Sequence, residues 1–182
     1  MLPTEGPNNL NFALKLMCMK YNNDQVRRRD RLLTEARARE IVYEAEYAVL
    51  SMIDEDGMPY AIPVNHVWDC SSCIYVHCAP EGTKLKAIAK HPNVCLCIVG
   101  EVNLLPSKFT TEYESVVIRG LAKVGLNEEE RMRALRLLIN KLSPEFKQLG
   151  EKYAQASFHR TEIIKIEVSE FSGKCKTVHK TN

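Results

Sequence analysis

The 182-residue chain carries 25 Lys and Arg against 23 Asp and Glu, with 45% hydrophobic and 26% charged residues. That length suits one domain able to bury a core without staples, and a net charge of +2 gives no reason to expect nucleic acid or an acidic membrane as partner. The apolar run at 12–19 is too short for a secretory signal and is broken by Lys15, and no stretch approaches a membrane span, so the expected compartment is the cytoplasm.

In chain order, residues 1–25 are Pro/Asn-rich and aperiodic and are expected to form a loosely tied arm; 26–182 are expected to form a single domain. The basic cluster Arg27-Arg28-Arg29-Asp30-Arg31 leads into a helix expected over about 30–46, with Leu32, Leu33, Ala36, Ile41 and Val42 as its apolar face. Residues 47–54 read as a buried strand ending in a Glu-Asp-Gly hairpin turn at 55–57. A second strand is expected over 60–68. Its Pro63 implies an edge or a bulge, because proline cannot donate to a ladder. Residues 74–78 form a third strand and 83–90 a short helix closing at His91-Pro92. Strands follow over 94–102 and 114–124, with Gly120 marking a bend or bulge. Asn127 followed by Glu128, Glu129 and Glu130 is a helix start, an N-cap with carboxylates at the positive end. Met132, Leu135, Ile139 and Leu142 carry that helix to Ser143-Pro144 as a core stripe; a further helix is expected over 145–157. Ile164, Ile166 and Val168 alternate with charged residues in a closing strand. Hairpin connections dominate, so the fold class is α+β, a mostly antiparallel sheet closed or half-closed into a barrel with flanking helices.

Seven cysteines, an odd number without a signal peptide, are expected to be free thiols. Cys70-Ser-Ser-Cys73 and Cys95-x-Cys97 could supply four thiolates to a metal. Strand periodicity instead makes Cys95 and Cys97 small core hydrophobes, so no metal site is assigned.

The stretch Ile74-Tyr-Val-His-Cys-Ala-Pro-Glu-Gly-Thr-Lys-Leu85 carries the chemistry. It reads as strand, turn and helix start. Thr83 as N-cap leaves first-turn N–H groups free to face an anion, Gly82 permits close backbone approach, and Lys84 adds a full positive charge. His77 lies one strand-width away. A phosphate cradle beside a titratable ring suggests a phosphorylated cofactor, although the spacing is not that of a P-loop.

These residues belong to an ordered series. Arg27-Arg28-x-Asp30-Arg31 is followed by Asp56-Gly-x-Pro59-Tyr-x-Ile-Pro63-Val64-Asn65, by the stretch just described, and by Pro92-x-Val94. Phe109-x-Thr-x-Tyr113-x-Ser115-Val-Val-x-x-Gly120 and Ser172-Gly173-Lys174 complete it. The series resembles the nitroimidazole-resistance (Nim) type flavoproteins of the pyridoxamine 5′-phosphate oxidase-like superfamily. The resemblance implies a split β-barrel that forms a homodimer, with one FMN at each end of the interface. It implies that Pro63, Val64 and Asn65 edge the isoalloxazine and that Thr83 and Lys84 hold the phosphate. Ser115 falls where the oxidases keep a Gln against the flavin, and His77 where the Nim proteins place a histidine beside it. Asn65 and Ser115 could equally satisfy local backbone groups. Tyr60 stands where the oxidases carry a phosphate-binding Arg, so an arginine from elsewhere must serve; one from the 27–31 cluster could reach across a dimer. The oxidases' C-terminal Trp/Arg pattern is missing, which argues against vitamin B6 oxidation.

The implied function is an FMN-dependent oxidoreductase acting on nitroaromatic or similar small acceptors, with His77 as proton donor or orienting group. No dinucleotide fingerprint occurs, so a nicotinamide donor would bind transiently. The alternative is a non-catalytic flavin- or haem-binding sensor or store. Cys70, Cys73 and Cys78 would suit a sensor if their thiolates are exposed, and His77 could ligate a haem iron.

Overall fold

Apolar side chains at every second position line one face of a single sheet. Leu50 on strand β2 (Tyr47–Ile53), Leu96 and Ile98 on β6 (Asn93–Leu105), and Val116 and Ile118 on β7 (Thr110–Lys123) are fully buried inside the barrel. Ile74 and Val76 on β5 (Cys73–Cys78) and Ile164 and Ile166 on β8 (Glu162–Lys176) complete that core. The computed structural model describes residues 19–178. The remaining strands are β1 (Lys20–Tyr21), β3 (Pro59–Asn65) and β4 (Val67–Trp68), and the helices are α1 (Glu35–Glu44), α2 (Thr83–Lys90), α3 (Glu128–Leu142) and α4 (Lys147–Ser157).

The sheet runs β3-β2-β6-β7-β8-β5-β4, antiparallel throughout, with β1 added in parallel to β8. This is the expected α+β split barrel. Pro63 sits on the edge strand β3, where a residue without an N–H is tolerated. Helices α3 and α4 cover the outer face of β5 and β8, burying Cys73, Tyr75 and Ile163 against Leu135, Leu138 and Ala154 in a second core.

The structure departs from the sequence reading in several places. Arg29–Arg31 forms one 3-10 turn, and the first helix begins only at Glu35, where the Thr34 hydroxyl accepts the Arg37 N–H at 3.2 Å. The strand expected over 60–68 breaks at His66. The hairpin strands β6 and β7 extend to Leu105 and back from Thr110, and the closing strand spans 15 residues. Cys95 and Cys97 are not core: Val94, Leu96 and Ile98 take the inward positions, leaving both sulfurs on the half-buried outer face. The end of the arm is tied down by β1, by Asn22 donating to Glu170 at 2.7 Å, and by Arg39 donating to the Met19 carbonyl at 2.8 Å. Residues 1–18, the rest of that arm, lie outside the described residues. Gly120 does mark a bulge: the register shifts between Arg119 and Gly120, and a Cβ there would lie 2.5 Å from the Glu167 carbonyl oxygen.

Asn127 caps α3 as its sequence implies, its side-chain oxygen accepting the Glu130 N–H at 2.8 Å. Asn127→Ala is expected to lower unfolding stability by about 1 kcal/mol, read as a lower urea midpoint with unchanged slope. An unchanged midpoint would show that the three first-turn glutamates hold that helix end without the cap.

Candidate functional site

The site begins as a fork in the chain. Strand β4 pairs with β5 through Val67–Tyr75 and Trp68–Ile74. At His66 the backbone leaves β5, and Asn65, Val64 and Pro63 pair instead with β2 on the opposite edge of the sheet. No ladder joins β3 to β5. The gap is a cleft of about 500 Å³ lined by Ile62, Pro63, Val64 and Asn65 on one side and His77, Cys78, Ala79 and Lys84 on the other. Tyr153, Ser157, Arg160 and Thr161 reach it from the helical layer. Its size is that of a small-molecule or cofactor site.

The fork is held by His66, which is fully buried and whose Nε2 lies 3.1 Å from the Val42 carbonyl of α1. Burial first, and then the Lys141 ammonium, push its pKa down to about 4, while the bond to Val42 opposes them. The Lys141 amine is itself buried without a hydrogen-bond partner among the described residues, and its pKa is pushed down to about 8.

His77 projects from β5 on the face that α3 and α4 only partly cover. Desolvation, then the Lys84 ammonium, lower its pKa below the usual 6.5, so the ring is mostly neutral at pH 7. No hydrogen bond engages it among the described residues. A neutral imidazole offers one N–H donor and one lone pair to a ligand.

Lys84 stands in the first turn of α2. That turn carries no acidic side chain, and no side chain caps it, so its positive end faces outward uncompensated. The cap is Gly82 rather than Thr83, which is the first helical residue and does not line the cleft. Gly82 is required by its φ of +130° rather than by crowding, since a Cβ there would meet nothing within 4 Å. The Leu85 and Lys86 N–H groups already bond the Gly82 carbonyl, at 3.1 and 3.3 Å.

Arg160 is the residue that sequence reasoning missed. It rides on the 3-10 turn Phe158–Arg160 that ends α4 and lines the same cleft as Lys84. Arg131 fixes that turn by donating to the Phe158 carbonyl at 3.0 Å and to the Thr161 carbonyl, with its guanidinium 4.2 Å from the Phe158 ring centroid. No spacing in the sequence connects Arg160 to Lys84. Within the 27–31 cluster, Arg28 donates to Asp30 at 2.8 Å and Arg29 to the Asn23 carbonyl at 2.7 Å, and none of its arginines lines the cleft of its own chain. Ser115 is not brought to the cleft of its own chain: it sits on β7 opposite Val99 and Lys174, with β2 and β6 between it and Asn65.

Against known proteins, residues 34–175 match the family model described as Pyridoxamine 5′-phosphate oxidase. No curated protein matches the chain. Among solved structures, the flavocytochrome Anf3 from Azotobacter vinelandii matches with a TM-score of 0.69 at 21% identity, over 87% of this chain and 77% of that one. A suggested 5-nitroimidazole antibiotic resistance protein from Bacteroides thetaiotaomicron matches with a TM-score of 0.64 at 21% identity, over 80% and 86%. The FAD and heme binding protein from Mycobacterium smegmatis matches with a TM-score of 0.63 at 14% identity, over 84% and 76%. At these identities the likeness is one of fold.

Proposed function

Because the chain belongs to the pyridoxamine 5′-phosphate oxidase family, we propose that its cleft holds FMN and that the protein is an FMN-dependent oxidoreductase acting on nitroaromatic or similar small acceptors. The observation that carries this reading is the pairing of two cations, Lys84 and Arg160, with an unbonded imidazole and an open strand edge in one cleft. Lys84, Arg160 and the Thr83 and Lys84 N–H groups at the start of α2 suit a phosphate, and Arg160 answers the want of an arginine at Tyr60. Pro63, Val64 and Asn65 suit the edge of a planar ring, with Asn65 held by donating to the Glu46 carbonyl at 3.0 Å. Bound FMN would supply the two-electron chemistry.

The chain's own residues would bind, orient and manage protons. His77, neutral at pH 7, would donate a hydrogen bond from its N–H to an acceptor oxygen and so orient it, while the protons of the reduced product come from solvent. Its lowered pKa rests partly on Lys84, so a bound phosphate would move it upward by screening that ammonium. His77→Ala is expected to leave FMN bound within about twofold while lowering turnover roughly tenfold or more, measured by reduced-nicotinamide consumption with a nitroaromatic acceptor. Unchanged turnover would remove His77 from the chemistry. A homodimer, in which a second copy would bring the Ser115 face to the cofactor, is part of the same reading.

The sensor alternative is weakened at two of its three thiols. Burial raises the pKa of Cys73 and of Cys78, so both are poor thiolates at neutral pH. The test of the reading is the visible spectrum of the purified protein with mass identification of the released chromophore. FMN supports it, a Soret band transfers His77 to haem ligation, and a colourless protein that takes up no FMN sinks it.

A further inference from the structure

A second cavity opens behind His77, of about 500 Å³, walled by α3 and α4. It shares His77, Tyr153, Ser157 and Thr161 with the cleft, so the two spaces meet at the imidazole. Its walls are Leu135, Leu138, Leu142 and Ala154, and no charged side chain lines it. The helices touch beside it at Gly150, where a Cβ would lie 2.8 Å from the Ile139 Cγ2, so the close approach there depends on the missing side chain. At its mouth Phe146, Leu149 and Tyr153 form an apolar rim, 61, 65 and 66% exposed. A rim of this kind facing water marks a binding surface.

The polar groups inside narrow the ligand further. The Ser157 hydroxyl donates to the Tyr153 carbonyl at 2.8 Å, and the Thr161 hydroxyl donates to the Ser157 carbonyl at 3.0 Å. Both protons are therefore spent within the end of α4. Among the described residues, His77, Ser143 and Tyr153 remain lining groups with uncommitted donors, and His77 and Tyr153 stand where the two spaces meet. A charged ligand would lose its hydration here without a counter-ion, which is strongly unfavourable. A neutral ring system with one oxygen at the imidazole would lose little.

We propose that this cavity binds neutral, ring-containing acceptors of the quinone class, seated in the apolar pocket with one oxygen at the His77 and Tyr153 donors where the two spaces meet. The assignment of the ligand as an acceptor rests on the flavin reading above; the binding itself does not. The concave shape and small-molecule volume favour such a ring over a partner helix.

The test is calorimetric titration of the full chain with menadione, with and without FMN, compared with an anionic naphthoquinone sulfonate. Menadione is expected to bind in both states, and the sulfonate roughly tenfold or more weaker. Leu149→Asp, at the exposed mouth and outside the FMN cleft, is expected to weaken menadione roughly tenfold while FMN affinity stays within about twofold. Equal binding of the two quinones, or menadione binding indifferent to Leu149→Asp, overturns the proposal. So does a Leu149→Asp variant that sediments as a monomer where the parent is a dimer, because the face would then belong to a second copy. Menadione binding with the expected variant response in a protein that takes up no FMN would keep the cavity and sink the flavin reading alone.

Discussion

Replacing Lys84 and Arg160 together with alanine is expected to abolish FMN binding at micromolar protein while leaving the fold intact. Each side chain would give a phosphate a charge-assisted contact worth about 1.5–3 kcal/mol, roughly 10- to 150-fold in affinity. They come from separate elements, α2 and the turn after α4, so neither can move to take the other's place. The single variants should each weaken FMN by that smaller factor, and the double variant by roughly their product. Neither side chain belongs to either buried core, so the melting temperature should change little. Quenching of flavin fluorescence on titration reads all three affinities. A double variant that still binds FMN like the parent would put the phosphate elsewhere and remove the central element of the functional reading.

The second large effect is expected in stability as pH falls. His66 has a folded-state pKa of about 4 against the ordinary 6.5, and the ring is fully buried. Between those values the unfolded chain binds a proton that the folded chain refuses. Stability is therefore intact above pH 6.5 and lost progressively as pH falls toward 4. The size follows from about 1.4 kcal/mol per pKa unit and comes to about 3 kcal/mol. Lys141 does not contribute in that window, because it is already protonated in both states below its folded value of about 8. Denaturant midpoints measured from pH 7 to pH 4 should fall in the parent and fall much less in His66→Asn. Parallel loss in both proteins would assign the acid sensitivity to carboxylates or to His77, whose pKa is also lowered, instead.

Local chemistry was legible in the sequence wherever one residue decides one feature. Asn127 and its glutamates marked a helix start, Gly120 a bulge, Pro63 an edge, and the alternation of Ile164, Ile166 and Val168 a strand. The cradle at Gly82 and Lys84 was legible in place but not in detail. A Thr at 83 looks like a cap by type, yet the left-handed backbone at Gly82 ends the turn one residue earlier. The Cys95-x-Cys97 face was misread because period 2 shows which residues share a face and not which face is inside. Arg160 was invisible for a different reason. Its nearness to Lys84 follows from the helical layer folding back over β5, a long-range consequence that no short motif encodes. The break at His66 was hidden too, since residues 60–68 read as one unbroken strand and only the closed topology shows the chain changing sheet edge.

The order of the strands also dictates when the molecule can exist at all. β8 is the latest strand to be synthesised among the described residues, yet it lies between β7 and β5 and carries β1 as well. Until residues 162–176 have emerged, β5 has only the two-residue β4 as a neighbour, a pairing too short to persist in water. The nascent chain therefore holds both rims of the cleft apart while seven earlier strands and four helices wait, and ligand binding cannot assist folding until residues 162–176 have emerged.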